Sequence, residues 1–315
     1  MAEVQIAALY AFAPLNDPAS LQDSLRDLCE EAGISGTILL ADEGINGTVA
    51  GPATGIERLL EHLRLVPGFE GLQAKYSTAQ AAPFGRLRVR LKQEIVSMGV
   101  DGIDPRAQVG RYVDPEEWNR LLADPEVLVV DTRNAYEVRI GTFEGAVDPN
   151  IGTFRDFPRW ASENIDPTRH KRVAMFCTGG IRCEKATSLL LGRGVEDVMH
   201  LNGGILRYLD QMPLEETKWR GECFVFDRRV AVDHELNPGS HSLCFGCLEP
   251  LTADETNLPG YEEGICCHRC APQLDRTTRS RREERMRQVR CAKASGSSHL
   301  HVGPSPETLQ GRDEA

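Results

Sequence analysis

The sequence lacks any long hydrophobic run. None of its apolar stretches approaches the ~18 consecutive residues that a membrane-spanning helix needs. The first residues, where Glu3 precedes the alternating Val4-Gln5-Ile6, lack the apolar centre of a signal peptide and are typical of a strand. With 41% hydrophobic and 26% charged residues, the 315-residue chain has the composition of a globular protein with two or three modest domains. We therefore expect no membrane partner.

The sequence also lacks the even cysteine spacing of a disulfide framework. Of the ten cysteines, five lie within residues 244–270. Disulfide-rich secreted domains are small and distribute their cysteines along the whole chain. A reducing, cytoplasmic setting is therefore the expectation.

Net positive charge is lacking as well. The formal charge is −11, which taken for the whole chain disfavours a nucleic-acid partner. Residues 276–293 differ, with eight Lys or Arg against two acids. A second cationic segment places four charges in strict alternation, at Arg86, Arg88, Arg90 and Lys92. This alternation predicts a strand with Leu87, Val89 and Leu91 on its core face, and a cationic face that is either solvated or binds RNA.

Cys177 is the strongest candidate for a reactive residue. The apolar run 172–176 predicts a strand that ends at this cysteine, and the sequence 183–191 predicts a helix. Between them lie Thr178, Gly179, Gly180, Ile181 and Arg182. Backbone amides at a helix start, the helix dipole and the Arg182 charge all favour an anion, so we expect an ionised thiol. The alternative is a buried cysteine that ends a core strand.

The length of this loop indicates its fold family. Cys177 and Arg182 enclose four residues, whereas cysteine phosphatases enclose five, and Cys183 stands where their arginine would be. The shorter loop suits a smaller anion, such as the terminal sulfur of a persulfide. The loop resembles that of the rhodanese family, as do the segments 127–133, 141–146 and 201–205.

The order of predicted elements indicates an α/β protein with several units. Residues 1–95 read as a ferredoxin-like α+β domain whose last strand is the cationic one, and 96–120 as a connector. Residues 121–217 read as a rhodanese-type, doubly wound parallel sheet with helices on both faces. Residues 218–275 form a hairpin and a Cys-rich module, and 276–315 a basic segment with a disordered tail from Ala294.

Two pairs of cysteines have the spacing of metal ligands. They are Cys244 with Cys247, and, nineteen residues later, Cys267 with Cys270. Paired thiolates two residues apart share one tetrahedral ion, so we expect structural zinc. Cys266 leaves the register of the second pair open, and the alternatives are free surface thiols or adventitious metal binding.

Three motifs together resemble the bacterial tRNA uridine hydroxylase family, whose members contain a rhodanese domain. They are residues 42–48, 92–96 and 176–185. The resemblance covers roughly residues 1–275. It implies hydroxylation of the wobble uridine of tRNA at C5, with molecular oxygen as co-substrate; no flavin or nicotinamide motif is found.

The resemblance also suggests roles for individual residues. Cys177 would add to C6 of the uracil or carry a persulfide, and Arg182 with the loop amides would stabilise the developing charge. Cys183 either resolves an oxidised Cys177 or is a small residue at a helix start. Asp131, which ends a strand beside the loop with Arg133, is expected to organise the loop more than to act as a base.

Two other functions remain open at this point. A plain sulfurtransferase would move sulfur from Cys177 to a small acceptor, and a non-enzymatic scaffold would use the same domains to bind RNA or protein. The flanking domains disfavour the first alternative, and the intact Cys177 and Arg182 disfavour the second. The oligomeric state is not indicated by the sequence.

Overall fold

The structure is a computed structural model that describes residues 4–295. Helices α1 to α8 are Pro18–Glu31, Ala53–Arg64, Pro115–Leu122, Ala135–Val138, Phe157–Asn164, Ile181–Gly192, Gly204–Gln211 and Arg276–Ala294. Strands β1 to β15 are Val4–Phe12, Ser35–Ala41, Gly44–Gly51, Ala74–Ala79, Leu87–Leu91, Arg111–Val113, Val127–Asp131, Gly141–Phe143, Arg172–Phe176, Asp197–Leu201, Trp219–Gly221, Cys223–Phe224, Ala231–Val232, Ser242–Leu243 and Pro250–Leu251. Among these helices, none combines the length and the apolarity that crossing a membrane requires.

The N-terminal domain is a five-stranded sheet with the order β4-β1-β3-β2-β5. Helices α1 and α2 cover one face, where Leu25, Leu59 and Leu63 pack against Ile38 and Val49. Strands β1 to β4 and the two helices have the predicted ferredoxin-like arrangement. The opposite face of the sheet faces the rest of the protein.

The last strand of this arrangement is not the one predicted from the sequence. The strand Ala74–Ala79 pairs with β1, whereas the cationic strand β5 is an additional edge strand that runs parallel to β2. Strand β4 was not predicted from the sequence because most of its residues are polar or half-exposed and do not alternate with apolar ones. Leu91 also differs from the prediction: it is 46% exposed, while Leu87 and Val89 pack on the core.

The central domain is a parallel four-stranded sheet with the order β6-β10-β9-β7. Alternate residues of its strands enter two separate cores, as a doubly wound sheet requires. Ala174 and Phe176 pack with Trp118 of α3, and Val173 and Met175 pack with the helices α5 and α6 on the other face. The edge strand β6 and helix α3 lie largely within the segment that the sequence assigned to a connector.

The C-terminal part is built from short antiparallel pairs. Strand β11 pairs with β8, β12 forms the predicted hairpin with β13, and β14 pairs with β15 beside the clustered cysteines. Helix α8 contains the basic segment and extends through Ala294, where the sequence predicted the tail to begin. The rest of that predicted tail, residues 296–315, lies outside the described residues.

Candidate active site

The Cys177 loop lies at the carboxyl end of β9, where open α/β sheets bind their ligands. Gly180, with φ of 102°, caps the start of α6, and its amide donates to the Cys177 sulfur over 3.1 Å. The loop carbonyls are bound from the other side, since the Ile205 amide donates to the Cys177 oxygen over 3.0 Å and the Leu206 amide to the Thr178 oxygen over 3.1 Å. The start of α7 therefore fixes the loop with its amides turned inward.

The environment of Cys177 favours the thiolate. Burial alone would raise the pKa of this thiol, but the Cys183 thiol, the Arg182 charge and the amides of Cys183 and Gly180 lower it to about 5. The Cys183 thiol is buried, and burial together with the neighbouring Cys177 raises its pKa well above the usual value. The two sulfurs are therefore an anion and its hydrogen-bond donor at neutral pH.

Arg182 is held by a buried carboxylate that the sequence did not indicate. Its two terminal nitrogens bind both carboxylate oxygens of Glu137, over 2.6 and 2.8 Å, and both side chains are buried. Arg182 is thus one of the groups that lower the pKa of Cys177, while both of its terminal nitrogens are bound to Glu137. Sequence analysis missed Glu137, although Asn134 and Glu137 have the spacing of a capping box, and at the start of α4 the Asn134 amide donates to the Glu137 carboxylate over 3.0 Å.

Asp131 and Arg133 lie behind the loop. Asp131 binds the Arg133 guanidinium over 2.6 and 2.8 Å and accepts from Thr142 over 2.9 Å. Arg133 also donates to the Gly141 carbonyl and packs over the Trp219 ring. This buried pair joins β7 to β8 and β11, so neither residue belongs to the lining of the cleft in front of Cys177.

A cleft of about 980 Å³ separates the Cys177 loop from the open face of the N-terminal sheet. This volume is at the upper end of the range for small-molecule sites. Its walls come from the N-terminal sheet, from the loop and from the β12–β13 hairpin. Representative lining residues are Ala8, Tyr10, Lys75, Cys177, Thr178 and Asp227.

Two N-terminal side chains reach the loop across this cleft, and sequence analysis missed both. The Lys75 ammonium donates to the Gly179 carbonyl over 2.6 Å, and the Tyr10 hydroxyl donates to Glu184 over 2.9 Å. Tyr112 donates to the same carboxylate over 2.8 Å. Burial and the Cys177 charge raise the pKa of Glu184, against the effect of the two hydroxyls. No sequence signal indicated these contacts, because they join residues 72 to 174 positions apart.

The three motifs of the family resemblance meet at one cluster of contacts. Lys185 of α6 binds Glu43 over 2.8 Å and Glu94 over 2.6 Å. Glu43 also accepts from the Ile95 amide, and the Asn46 side chain donates to the Ile95 carbonyl. The β2–β3 hairpin, the segment after β5 and helix α6 are therefore held together by ion pairs around the buried Lys185 and by backbone contacts.

The cationic strand lies on the same sheet face as the cleft but not in its lining. In the sheet register Arg88 pairs with Thr37 on the neighbouring strand. The same row of paired residues runs across the sheet through Thr48 and Ala8 to Lys75. Arg88 and Lys75 are thus in one row, separated by four strand spacings, or about 19 Å. Arg90 is one row further along, while Arg86 and Lys92 flank the strand.

The structure shows which cysteines of the second pair lie beside Cys244 and Cys247. The sulfurs of Cys244, Cys247, Cys267 and Cys270 all lie within 4.8 Å of one another. Sulfur separations of 3.6 and 3.9 Å match the edge of about 3.8 Å that follows from a tetrahedral ion with Zn–S bonds of about 2.3 Å. Cys266 is not part of this cluster, and its sulfur contacts the Gly260 carbonyl.

Comparisons with known proteins agree with this architecture. The model of the UPF0176 acylphosphatase like domain matches residues 4–95, and the model of the Rhodanese-like domain matches residues 114–211. The protein is therefore of the class in which an acylphosphatase-like domain faces the cysteine loop of a rhodanese fold.

Three curated relatives show which family within this class the chain resembles. A protein of Ruegeria pomeroyi is 55% identical over 295 residues, covering 94% of this chain and 98% of its own. Relatives from Brucella anthropi and Teredinibacter turnerae are 52% and 50% identical, and they cover 95% and 99% of this chain and 97% of their own. All three are named tRNA uridine(34) hydroxylase. The chain belongs to the tRNA uridine(34) hydroxylase family.

Proposed function

We propose that this protein is a cytoplasmic enzyme that hydroxylates C5 of uridine 34 in tRNA, with molecular oxygen as co-substrate and Cys177 as nucleophile. The observation that carries the proposal is that Cys177, in a loop whose amides and charges lower the pKa of its thiol, lines a cleft between two domains. The names of relatives that match nearly the whole chain support the reaction and the substrate.

The chemistry begins with a base that leaves the anticodon stack and enters the cleft. The Cys177 sulfur adds to C6 of the uracil, which breaks the C5–C6 π bond and places negative charge on C5 and O4. C5 then becomes a nucleophile towards an oxygen-derived oxidant, and loss of the C5 proton with cleavage of the S–C6 bond restores the ring.

The overall reaction needs a reductant as well as oxygen. One oxygen atom enters the C5–H bond and the other is reduced to water, which consumes two electrons and two protons. A thiol reductant supplies both in this proposal. We assign to Cys183, whose thiol donates to Cys177, a transient disulfide with it that passes on those electrons.

In this proposal two further parts of the molecule bind the tRNA substrate and a structural metal ion. The sheet face that carries Arg88 and Arg90 holds the phosphates of the tRNA around the flipped base. The four clustered cysteines bind a structural zinc ion, because four thiolates are the donor set of closed zinc sites.

Nucleoside mass spectrometry of tRNA tests this function. Cells that lack the protein are complemented with wild type, Cys177→Ala, or Cys291→Ala, which makes the same change at an exposed cysteine. We expect 5-hydroxyuridine and its derivatives with wild type and Cys291→Ala only, and no product without oxygen.

Full activity of a stably folded Cys177→Ala variant would refute Cys177 as nucleophile. If no variant changes the nucleosides and the purified protein transfers sulfur from thiosulfate, the protein is a sulfurtransferase. If it does neither but binds tRNA, it is a scaffold.

A further inference from the structure

The N-terminal domain inserts two side chains against the glycines of the rhodanese domain. A Cβ atom at Gly180 would lie 2.9 Å from the Tyr10 hydroxyl, and one at Gly203 would lie 3.2 Å from Lys75 Cε. Both glycines have positive φ, so they provide the turn and the room for a close approach at the same time. Lys75 therefore occupies a channel between the active-site loop and the start of α7.

The charge of Lys75 depends on all groups that face it. Burial lowers the pKa of Lys75, the negative charges of Cys177 and Glu184 raise it, and Arg207 of α7 lowers it again, to about 8. The ammonium also lies 5.0 Å from the centre of the Tyr10 ring, which favours the cation. Lys75 is thus protonated at neutral pH and loses its proton just above it.

Lys75 is better placed than Arg182 to act on a bound base. Both terminal nitrogens of Arg182 are used by Glu137. An ammonium has three N–H donors, and the contact with the Gly179 carbonyl uses one of them. Lys75 lines the cleft together with Cys177, so a base bound there would lie next to the ammonium.

We propose that Lys75 is a catalytic residue, whose ammonium binds the uracil oxygen that becomes negative when Cys177 adds to the base. The inference rests on the proposed function and assigns to the N-terminal domain a direct part in its first step. In this step the S–C6 bond forms, the C5–C6 π bond breaks, and the electron pair moves to O4, where Lys75 donates a hydrogen bond. The step needs no oxidant, and the ammonium keeps its proton.

This arrangement predicts a bell-shaped pH dependence. Cys177 must be ionised, which requires a pH above about 5, and Lys75 must be protonated, which requires a pH below about 8. The rate of base modification should therefore rise through the first value and fall through the second. Glu184, Tyr10 and Arg207 also face Lys75, so their substitution would shift the alkaline limb.

The test is single-turnover hydroxylation of tRNA by the full chain in excess, as a function of pH. Lys75→Met should lower the rate about 10²-fold at saturating enzyme, the typical effect of losing one oxyanion donor. Lys75→Arg should retain more of the rate and lose the alkaline limb, because a guanidinium stays protonated. Lys171→Met, at the opposite end of β9 and exposed in its ion pair with Glu196, is the matched control and should behave as wild type.

The outcomes separate the two proposals. If wild type forms no 5-hydroxyuridine, the proposed function itself fails. If wild type is active and Lys75→Met has the same rate and pH profile, Lys75 has no catalytic role. A variant with weaker tRNA affinity but a normal rate at saturation would make Lys75 a binding residue only, and an Lys75→Arg variant with an unchanged alkaline limb would assign that limb to another group.

Discussion

The ionisation of Cys177 can be tested without RNA. The structure lowers the pKa of this thiol to about 5, and an unperturbed cysteine has a pKa of about 8.5. At pH 5.5, therefore, about three quarters of Cys177 but only about one in a thousand ordinary thiols is ionised. The pH at which half of Cys177 reacts at its maximal rate should be about 5.

The rate advantage is smaller than the thiolate fraction suggests. A thiolate of lower pKa is a weaker nucleophile, with a Brønsted coefficient of about 0.4–0.5, so about 3.5 pKa units reduce its intrinsic rate roughly 25- to 55-fold. The net expectation is that Cys177 reacts with a disulfide about 15- to 30-fold faster than a free thiol at pH 5.5. At pH 8.5 it should react about 10- to 30-fold more slowly than the free thiol.

The assay is stopped-flow reaction with a small aromatic disulfide between pH 4.5 and 9. It uses a Cys291→Ser background, because Cys291 is exposed, and a further Cys177→Ser variant to identify the signal. Cys29 and Cys223 should stay silent, since burial raises the pKa of each to about 12. Limited access to the buried sulfur lowers all rates by one factor and leaves the midpoint unchanged. A midpoint near 8.5 would refute the argument that the loop stabilises a thiolate.

Four other changes test the supporting structure. Glu137→Gln leaves its buried arginine partner uncompensated and should reduce the free energy of unfolding in urea by about 3–5 kcal/mol, whereas Glu144→Gln, in an exposed ion pair, should change it by less than about 0.5 kcal/mol. Cys183→Ala removes a donor to the Cys177 thiolate and should move its reaction midpoint upwards by about one pH unit; an unchanged midpoint would show that this contact has no effect. Cys247→Ser should abolish the binding of one zinc per chain, measured by elemental analysis, and a metal-free wild type would refute the zinc site. Arg90→Glu should weaken tRNA binding and reduce the slope of log affinity against log salt by about one, and an unchanged slope would remove β5 from the interface.

Local sequence was sufficient where the structure depends on neighbouring residues. The run 172–176, the loop after Cys177 and the following helix are contiguous, so their strand–turn–helix order and the ionising environment of the thiol could be predicted from residue types. The spacing of the clustered cysteines predicted their grouping for the same reason. Sequence reading failed at Ala74–Ala79, where a half-exposed edge strand has no apolar alternation, and it therefore assigned the final ferredoxin-like strand to β5.

The sequence alone determined the fold class and the family motifs, and it made Cys177 the candidate nucleophile, because each depends on a few adjacent residues whose local geometry is restricted. Only the tertiary structure decided which side chains from outside the loop pair with its residues or contact it. Arg182, six residues from the end of β9, is paired with Glu137, whereas Lys75, about a hundred residues away in another domain, contacts the loop. A charge interaction depends on distance in space and on burial, and neither quantity follows from separation along the chain.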